Sequence, residues 1–310
     1  MAGRSEPRFA APSKYDPVCD LGDARRKRCR RSDDEGVLEA HCVKFLRQTA
    51  AVFLVAIFIA TLFAGILAPA PYARQFRESP NALPSRIHLL GTDELGRDLF
   101  SRLLYGSRVS LLLAPAASLL ATIIAALVGG VAGYVGGWIE RIALAGTDLS
   151  MSLPWLFLLL TVRAVLPLNL PPAASLLITF GLLGFFGWAA SARVICAGAR
   201  GLRNSDFVLQ AKACGCSSQR VLLQQVLPNL RPVLYAQFLI SIPVFILTEA
   251  NLGILGLGVS EPLPSWGGLL RGLENWSAVQ ANPARLAPLV LLFVVVSCFQ
   301  LVMPQEDFAS

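Results

Sequence analysis

Apolar residues fall into six long runs separated by polar stretches, and these runs set the architecture. The first, Thr49 to Ala68, reads TAAVFLVAIFIATLFAGILA and is stopped by Pro69 and Pro71. Others lie at about 109–131, 151–168, 173–195, 233–255 and 286–303. They approach the ~20 residues that a helix needs to cross a bilayer. They are continuous rather than alternating, which argues against a β-barrel. The pattern predicts an all-α polytopic membrane protein with six transmembrane helices and both termini cytoplasmic. The expected organisation is a basic cytosolic tail over 1–47, a first membrane helix over 48–69 and an external loop over 70–107. A five-helix core over 108–304 follows, with a cytoplasmic loop at 204–232, and then a short tail at 305–310.

Within this frame the polar stretches differ. The tail carries Arg25-Arg26-Lys27-Arg28-Cys29-Arg30-Arg31 and has the composition of a disordered segment. A twin-Arg export signal does not fit, because the next apolar run is too long for a signal core and lacks a clear cleavage site. The external segment contains Gly91-Thr92-Asp93-Glu94-Leu95-Gly96-Arg97-Asp98. Six arginines in or beside it strain the rule that basic loops stay inside, although four acids accompany them. The second run ends in a glycine-rich stretch, Gly129 to Gly137, that reads either as a close helix contact or as a turn. A short inside loop with Glu140, Arg141 and Asp148 is expected next. Pro154 sits near the start of the third run, where a missing N–H costs least. Arg163 lies late in that run, where it reads as snorkelling to the interface, or else as lining a pore.

Residues 204–232, NSDFVLQAKACGCSSQRVLLQQVLPNLRP, stand apart. Asn204 or Ser205 is placed to cap a helix whose first turn holds Asp206 and whose last holds Lys212. Gly215 takes the position that accepts a left-handed conformation, which predicts a helix over 206–214. Nine residues do not make a stable helix alone in water. Phe207, Ala211 and Cys214 share one face, broadened by Val208, and Ala211 is small enough to let another surface approach. That face fits either a groove of a partner protein or the chain's own bundle. A second run, Ser217 to Val226, is ended or kinked by Pro228, and Asn229 is placed to cap the next segment. Arg193, Arg200, Arg203, Lys212, Arg220 and Arg231 surround a single acid here, which places the loop inside.

The chain is 55% hydrophobic and 15% charged, with a net charge of +7 from 23 Arg and 4 Lys against 20 acids. Basic cytoplasmic loops account for this charge, and no nucleic-acid role is inferred from it. The seven cysteines form no CxxC pair, so free thiols are expected rather than a metal site. None of the four lysines follows a glycine, so the chain has no phosphate-binding loop of the GxxxxGK[ST] kind. The two histidines, His41 and His88, are far apart, and no catalytic group is evident. Glu249, an acid inside an apolar run, is either functional or a buried hydrogen-bonder. A self-contained secondary transporter would show paired intramembrane charges or matched broken helices in inverted halves, and neither is clear.

Three blocks carry a resemblance. One is Leu90 to Ser110, containing the 91–98 sequence; the second is the 206–229 loop; the third runs from Leu247-Thr248-Glu249-Ala250-Asn251-Leu252 to Pro264-Ser265-Trp266-Gly267. The chain resembles the C-type permease subunits of bacterial dipeptide, oligopeptide and nickel ABC importers, over about residues 50–300. It departs from the family pattern at Asp206, where Glu is usual, at Gln210, where Ala is preferred, and over the last residues, Gln305 to Ser310. The resemblance implies a type I importer permease fold in the inner membrane and no enzymatic activity. It implies a path for peptides, or alternatively nickel or another small solute. The implied partners are a second homologous permease subunit, two cytoplasmic ATPase subunits that bind the ATP and magnesium, and an external solute-binding protein. This chain itself would bind no cofactor. Asp206, Phe207, Val208, Ala211, Gly215, Leu227 and Pro228 would couple to the ATPases. Gly91, Asp93, Gly96, Arg97, Asp98, Pro264 and Trp266 would meet the binding protein or the partner permease. The resemblance also favours a partner-docked helix over a membrane-packed one at 206–214.

Overall fold

The structure is a computed structural model that describes residues 44–166 and 171–303. The tail expected at 1–47, with Cys19, Cys29, Cys42 and His41, falls outside the described residues up to 43, as does the 305–310 tail. The described residues are helical, with two isolated bridges, Gln75–Arg97 and Thr92–Asp98, and no strand among them. Among the described residues, five helices are long and apolar enough to cross a membrane, and one bent pair, taken as a single span, makes a sixth. The contacts divide the chain at Thr49, and the helical bundle is built from the unit Ala50–Ser310.

Helix α1, Lys44–Leu62, contributes its 50–62 part to this unit. Helix α2, Leu99–Val135, has 37 residues, about 55 Å at 1.5 Å per residue. It starts ten residues earlier than the apolar run at 109, so the loop expected to be external ends at Asp98 rather than 107. Two local causes are visible. The Asp98 carboxylate accepts the Ser101 N–H at 2.8 Å, which caps the first turn. Arg102, which makes this turn look polar, is neutralised by acids from two loops.

The glycine-rich stretch is both a contact and an end. A Cβ on Gly129 would lie 2.3 Å from the Ala192 carbonyl oxygen, and one on Gly133 would lie 2.3 Å from that of Cys196. Small residues let two backbones meet in lipid, where van der Waals packing drives association. Gly136, with φ 73°, then ends the helix. No loop follows. Helix α3, Gly137–Ser152, carries Glu140, Arg141 and Asp148, and it joins α4, Trp155–Val165, at a bend of 75°. Pro154 holds Leu153 in an extended conformation, with ψ 131°, so the break is local chemistry. The expected third span at 151–168 is therefore a broken helix pair.

Helices α5, Pro172–Phe186, and α6, Ala189–Leu202, form one span interrupted at Gly187-Trp188. A Cβ on Gly187 would sit 2.4 Å from the Phe245 ring. The short helix α7, Asp206–Ala213, is followed by a turn at Ser218–Val221 and a π-turn at Leu222–Val226. Pro228 offers no N–H and crowds the carbonyl four residues back, and the widened π-turn accommodates it. Helix α8, Arg231–Ile254, crosses next, with Pro243 inside it. The short helices α9, Trp266–Arg271, and α10, Trp276–Ala281, lead to α11, Ala287–Val302.

Two buried clusters sit along the bundle. One gathers Leu111, Phe180, Leu183, Phe245, Ile246 and Trp266. The other gathers Tyr134, Ile195, Val208, Val221, Val226 and Leu230 at the end that carries α7. Large apolar side chains such as Ile66, 80% exposed, and Phe293, 71% exposed, face outward. An outward apolar belt suits lipid and not water.

Candidate functional site

Helix α7 is built as the sequence suggests at one end and differently at the other. Ser205 has the extended backbone of a capping residue, but its hydroxyl donates to the Leu202 carbonyl at 2.7 Å and does not cap. Asn204 does not cap the helix either, and Asn229 likewise donates its amide back to the Gln225 carbonyl at 2.6 Å. The C-terminal end is a full left-handed stop. Gly215, with φ 79°, donates its N–H to the Lys212 carbonyl at 3.0 Å, and Cys216 donates to that of Ala211 at 3.1 Å. The Lys212 ammonium lies 5.2 Å from the centre of the Tyr134 ring, a cation–π contact that ties the last turn to α2.

The orientation of α7 buries part of the face expected to dock and leaves Cys214, also on that face, exposed. Val208 is fully buried in the second cluster, and Phe207 and Ala211 are half-buried against the same residues. A helix this short needs tertiary packing to exist. Its stronger apolar stripe is therefore used by its own bundle. Asp206, Leu209, Gln210, Lys212, Ala213 and Cys214 are left exposed, and of these Asp206, Leu209, Gln210 and Ala213 form one stripe at i, i+3, i+4 and i+7, with Leu209 50% exposed. Leu227 lies near Gly130, and Pro228 is half-buried beside it in the chain.

The two loops at the other end form one charged cluster. Asp93 accepts from Arg97 Nε at 2.7 Å and from Arg102 Nη1 at 3.2 Å. Glu261 accepts from Arg102 Nη2 at 2.9 Å and from Arg97 Nη1. Burial acts to raise the Glu261 carboxyl, but Arg102 first and Arg97 second outweigh it and hold it below the ordinary carboxylate range. Burial acts to lower the Arg97 guanidinium, and its bonds to Asp93 and Glu261 raise it instead. Asp98 also takes His88 Nδ1 at 3.0 Å. Gly96, with φ 72°, passes so close to Phe76 that a Cβ would lie 2.3 Å from its carbonyl oxygen, and Gly91 stands likewise against Ala82.

Several residues expected at an external contact are consequently internal. Gly91, Gly96, Arg97 and Asp98 are buried, and Asp93 is half-buried. Pro264 is buried, and Trp266 is wholly so, donating its indole N–H to Ser107 Oγ at 2.8 Å. In this chain they organise the loops, while Glu94 and Leu95 form the exposed tip.

Arg163 does not snorkel. It is 2% exposed and donates to the carbonyls of Leu257 at 3.0 Å and Gly258 at 3.1 Å, and to Ser175 Oγ. It pins α4 to α5 and to the segment after α8. Glu249 is a buried hydrogen-bonder, accepting from Ser110 Oγ at 3.3 Å where α8, α2 and α9 meet. Sequence reasoning missed Glu261, Ser175 and Ser110. The signal for Glu261 was present, since it is the lone acid of a proline-rich loop that faces arginines.

A helical bundle with five to six apolar spans, no strand among its described residues and a structured polar segment at one end defines a multi-pass membrane protein. The comparisons agree. Residues 110–304 match the family described as "Binding-protein-dependent transport system inner membrane component". The chain is similar to the dipeptide transport system permease protein DppC of Bacillus subtilis, 32% identical over 222 residues, 72% of this chain and 68% of that one. It is similar to the oligopeptide transport system permease protein OppC of the same organism, 30% identical over 222 residues, 72% of this chain and 71% of that one. It is also similar to the glutathione transport system permease protein GsiD of Escherichia coli, 32% identical over 263 residues, 83% of this chain and 84% of that one.

This chain belongs to the binding-protein-dependent transport system inner membrane component family. It is a multi-pass inner-membrane permease subunit of an ABC importer, a transport component and not an enzyme.

Proposed function

We propose that this chain, with a second homologous permease subunit, forms the path for peptides or similar small solutes handed over by an external binding protein. Two cytoplasmic ATPase subunits bind the ATP and magnesium and drive it. They dock on α7, so the 204–232 segment and both termini are cytoplasmic, and the 91–98 and 259–267 loops are external. Glu94 and Leu95 at the tip of the first loop are offered to the binding protein or the partner permease.

The observation that carries this reading is the outward stripe Asp206–Leu209–Gln210–Ala213 on a helix anchored along its inner face. That inner face packs in the second cluster against the 218–226 turns, which in turn meet α2, so a push on the outer face passes through them into the bundle. The basic residues that surround it support a cytoplasmic side. A peptide-like solute is supported by the relatives, whose names specify dipeptides, oligopeptides and glutathione. Transport then proceeds by rocking of the bundle between inward and outward access.

The test is ATP-driven uptake of a labelled dipeptide by vesicles holding the complete assembly. Leu209→Glu should abolish uptake while the chain remains in the membrane. Undiminished uptake by this variant would overturn the docking assignment.

A further inference from the structure

Four free cysteines lie among the described residues, and two of them stand together outside the spans. Cys196 is buried in α6, and Cys298 sits in α11. Cys214 and Cys216 instead flank Gly215 at the stop of α7. The chain turns back at Gly215, whose φ is 79°, and the Cys216 N–H donates to the Ala211 carbonyl at 3.1 Å. The Cys214 N–H donates to the Gln210 carbonyl at 2.9 Å. Two Cα–Cα steps of about 3.8 Å, folded through such a turn, place the two Cα atoms roughly 5.4 Å apart. A disulfide spans about 4.4–6.8 Å between Cα atoms.

The two thiols differ in setting. Cys214 is exposed and follows Ala213, the last residue of the outer stripe, so a small oxidant reaches it from water. Cys216 is half-buried and packs on the second cluster. An accessible thiol with a resolving thiol beside it is the arrangement of a redox sensor.

We propose that Cys214 and Cys216 form a reversible disulfide under hydrogen peroxide, and that this bond disables α7 as a coupling helix. The Cys214 sulfur attacks one peroxide oxygen and the O–O bond breaks. The sulfur keeps that hydroxyl as a sulfenic acid, and the other oxygen leaves as water with the thiol proton. The Cys216 sulfur then attacks the Cys214 sulfur, forming the S–S bond, and the hydroxyl leaves as a second water with the Cys216 proton. The two thiols lose two electrons and the peroxide gains them. A dithiol reverses the reaction and is itself oxidised to a disulfide. Exposed disulfides are the labile, regulatory kind. Closing this one draws Cys214 toward a residue fixed in the bundle, and the last turn of α7 moves with it, Gln210 and Ala213 of the outer stripe included. The inference rests on the transport reading above, which puts the loop in the reducing cytoplasm, where thiols are the resting state.

Two arms test it, both on the complete transporter in lipid vesicles. In the first, the vesicles are treated with hydrogen peroxide, blocked with N-ethylmaleimide and cut with trypsin at Lys212 and Arg220, which releases 213–220 with both cysteines. That peptide should carry no maleimide and weigh two hydrogens less than the free dithiol, and dithiothreitol before the blocking step should restore the dithiol. A peptide that takes maleimide on both sulfurs after peroxide, or that gains oxygen instead, overturns the disulfide. In the second, peroxide should remove most ATP-driven uptake of alanyl-alanine, and dithiothreitol should restore it. Cys214→Ser should transport as before when reduced and keep its uptake under peroxide. Equal loss in that variant, or no loss in the unsubstituted transporter, overturns the switch. No uptake by the reduced, unsubstituted transporter counts against the transport reading instead, and the peptide mass then decides the disulfide by itself.

Discussion

Replacing Arg102 by Met keeps the apolar stem of the side chain and removes the guanidinium that joins two loops. The Arg102 side chain is 4% exposed and bonds Asp93 and Glu261, which are 17% and 57% exposed. Removing one partner of a fully buried pair costs roughly 3–5 kcal/mol. Glu261 is half in solvent and Asp93 keeps Arg97, so a loss of about 2–3 kcal/mol is expected here. At about 2–4 °C per kcal/mol for a domain of this size, the melting temperature in detergent should fall by roughly 4–12 °C. Glu261→Gln alone should cost less, because Asp93 remains beside both arginines. The double variant should be less destabilised than the sum, by about 0.5–2 kcal/mol, because the two residues share a bond. Melting curves of the purified chain measure all four corners of this cycle. Strict additivity, or a single Arg102→Met shift below about 1 °C, would refute the reasoning that the cluster clamps the loops.

Gly129→Ala should destabilise by about 1–3 kcal/mol, since its Cβ would lie 2.3 Å from the Ala192 carbonyl, and a thermal melt reads it. Gly215→Val should cost about 1–2 kcal/mol in the same assay by forcing a β-branched residue to a φ of 79°. The Glu261 pairing has a pH signature. Its folded carboxyl lies below its unfolded value, so its stabilisation is present above the unfolded value near 4.3 and is lost as pH falls through the folded one. Proteolysis of the 259–265 segment should accelerate only below about pH 4, and Glu261→Gln should remove that dependence.

The span pattern and the helix expected at 206–214, found at 206–213 with its glycine stop, were legible from run length and the left-handed position of Gly215, although the expected caps Asn204 and Ser205 do not cap it. What the sequence concealed depends on partners distant along the chain. The first turns of α2 looked like loop because Arg102 reads as polar, and only Asp93 and Glu261 make it internal. Arg163 looked like an interface residue because the carbonyls of Leu257 and Gly258 that hold it lie some ninety residues later. The broken third span had a visible cause in Pro154, but a proline alone does not say whether a helix bends or starts. The face of α7 was the hardest case. Periodicity groups Phe207, Val208 and Ala211 correctly, yet it does not say whether an apolar stripe is kept by its own bundle or given to a partner. In this chain Val208, at zero exposure, is kept by the bundle, while Phe207 and Ala211 are half-buried against it.

The central claim is that the ATPase subunits press on the outer stripe of α7. Photoreactive benzoylphenylalanine placed at Leu209, in the complete assembly in membranes, measures this contact directly. The account predicts a light-induced adduct with an ATPase subunit from position 209 and none from position 207, whose side chain packs on the second cluster. An adduct from 207 with none from 209 would contradict it.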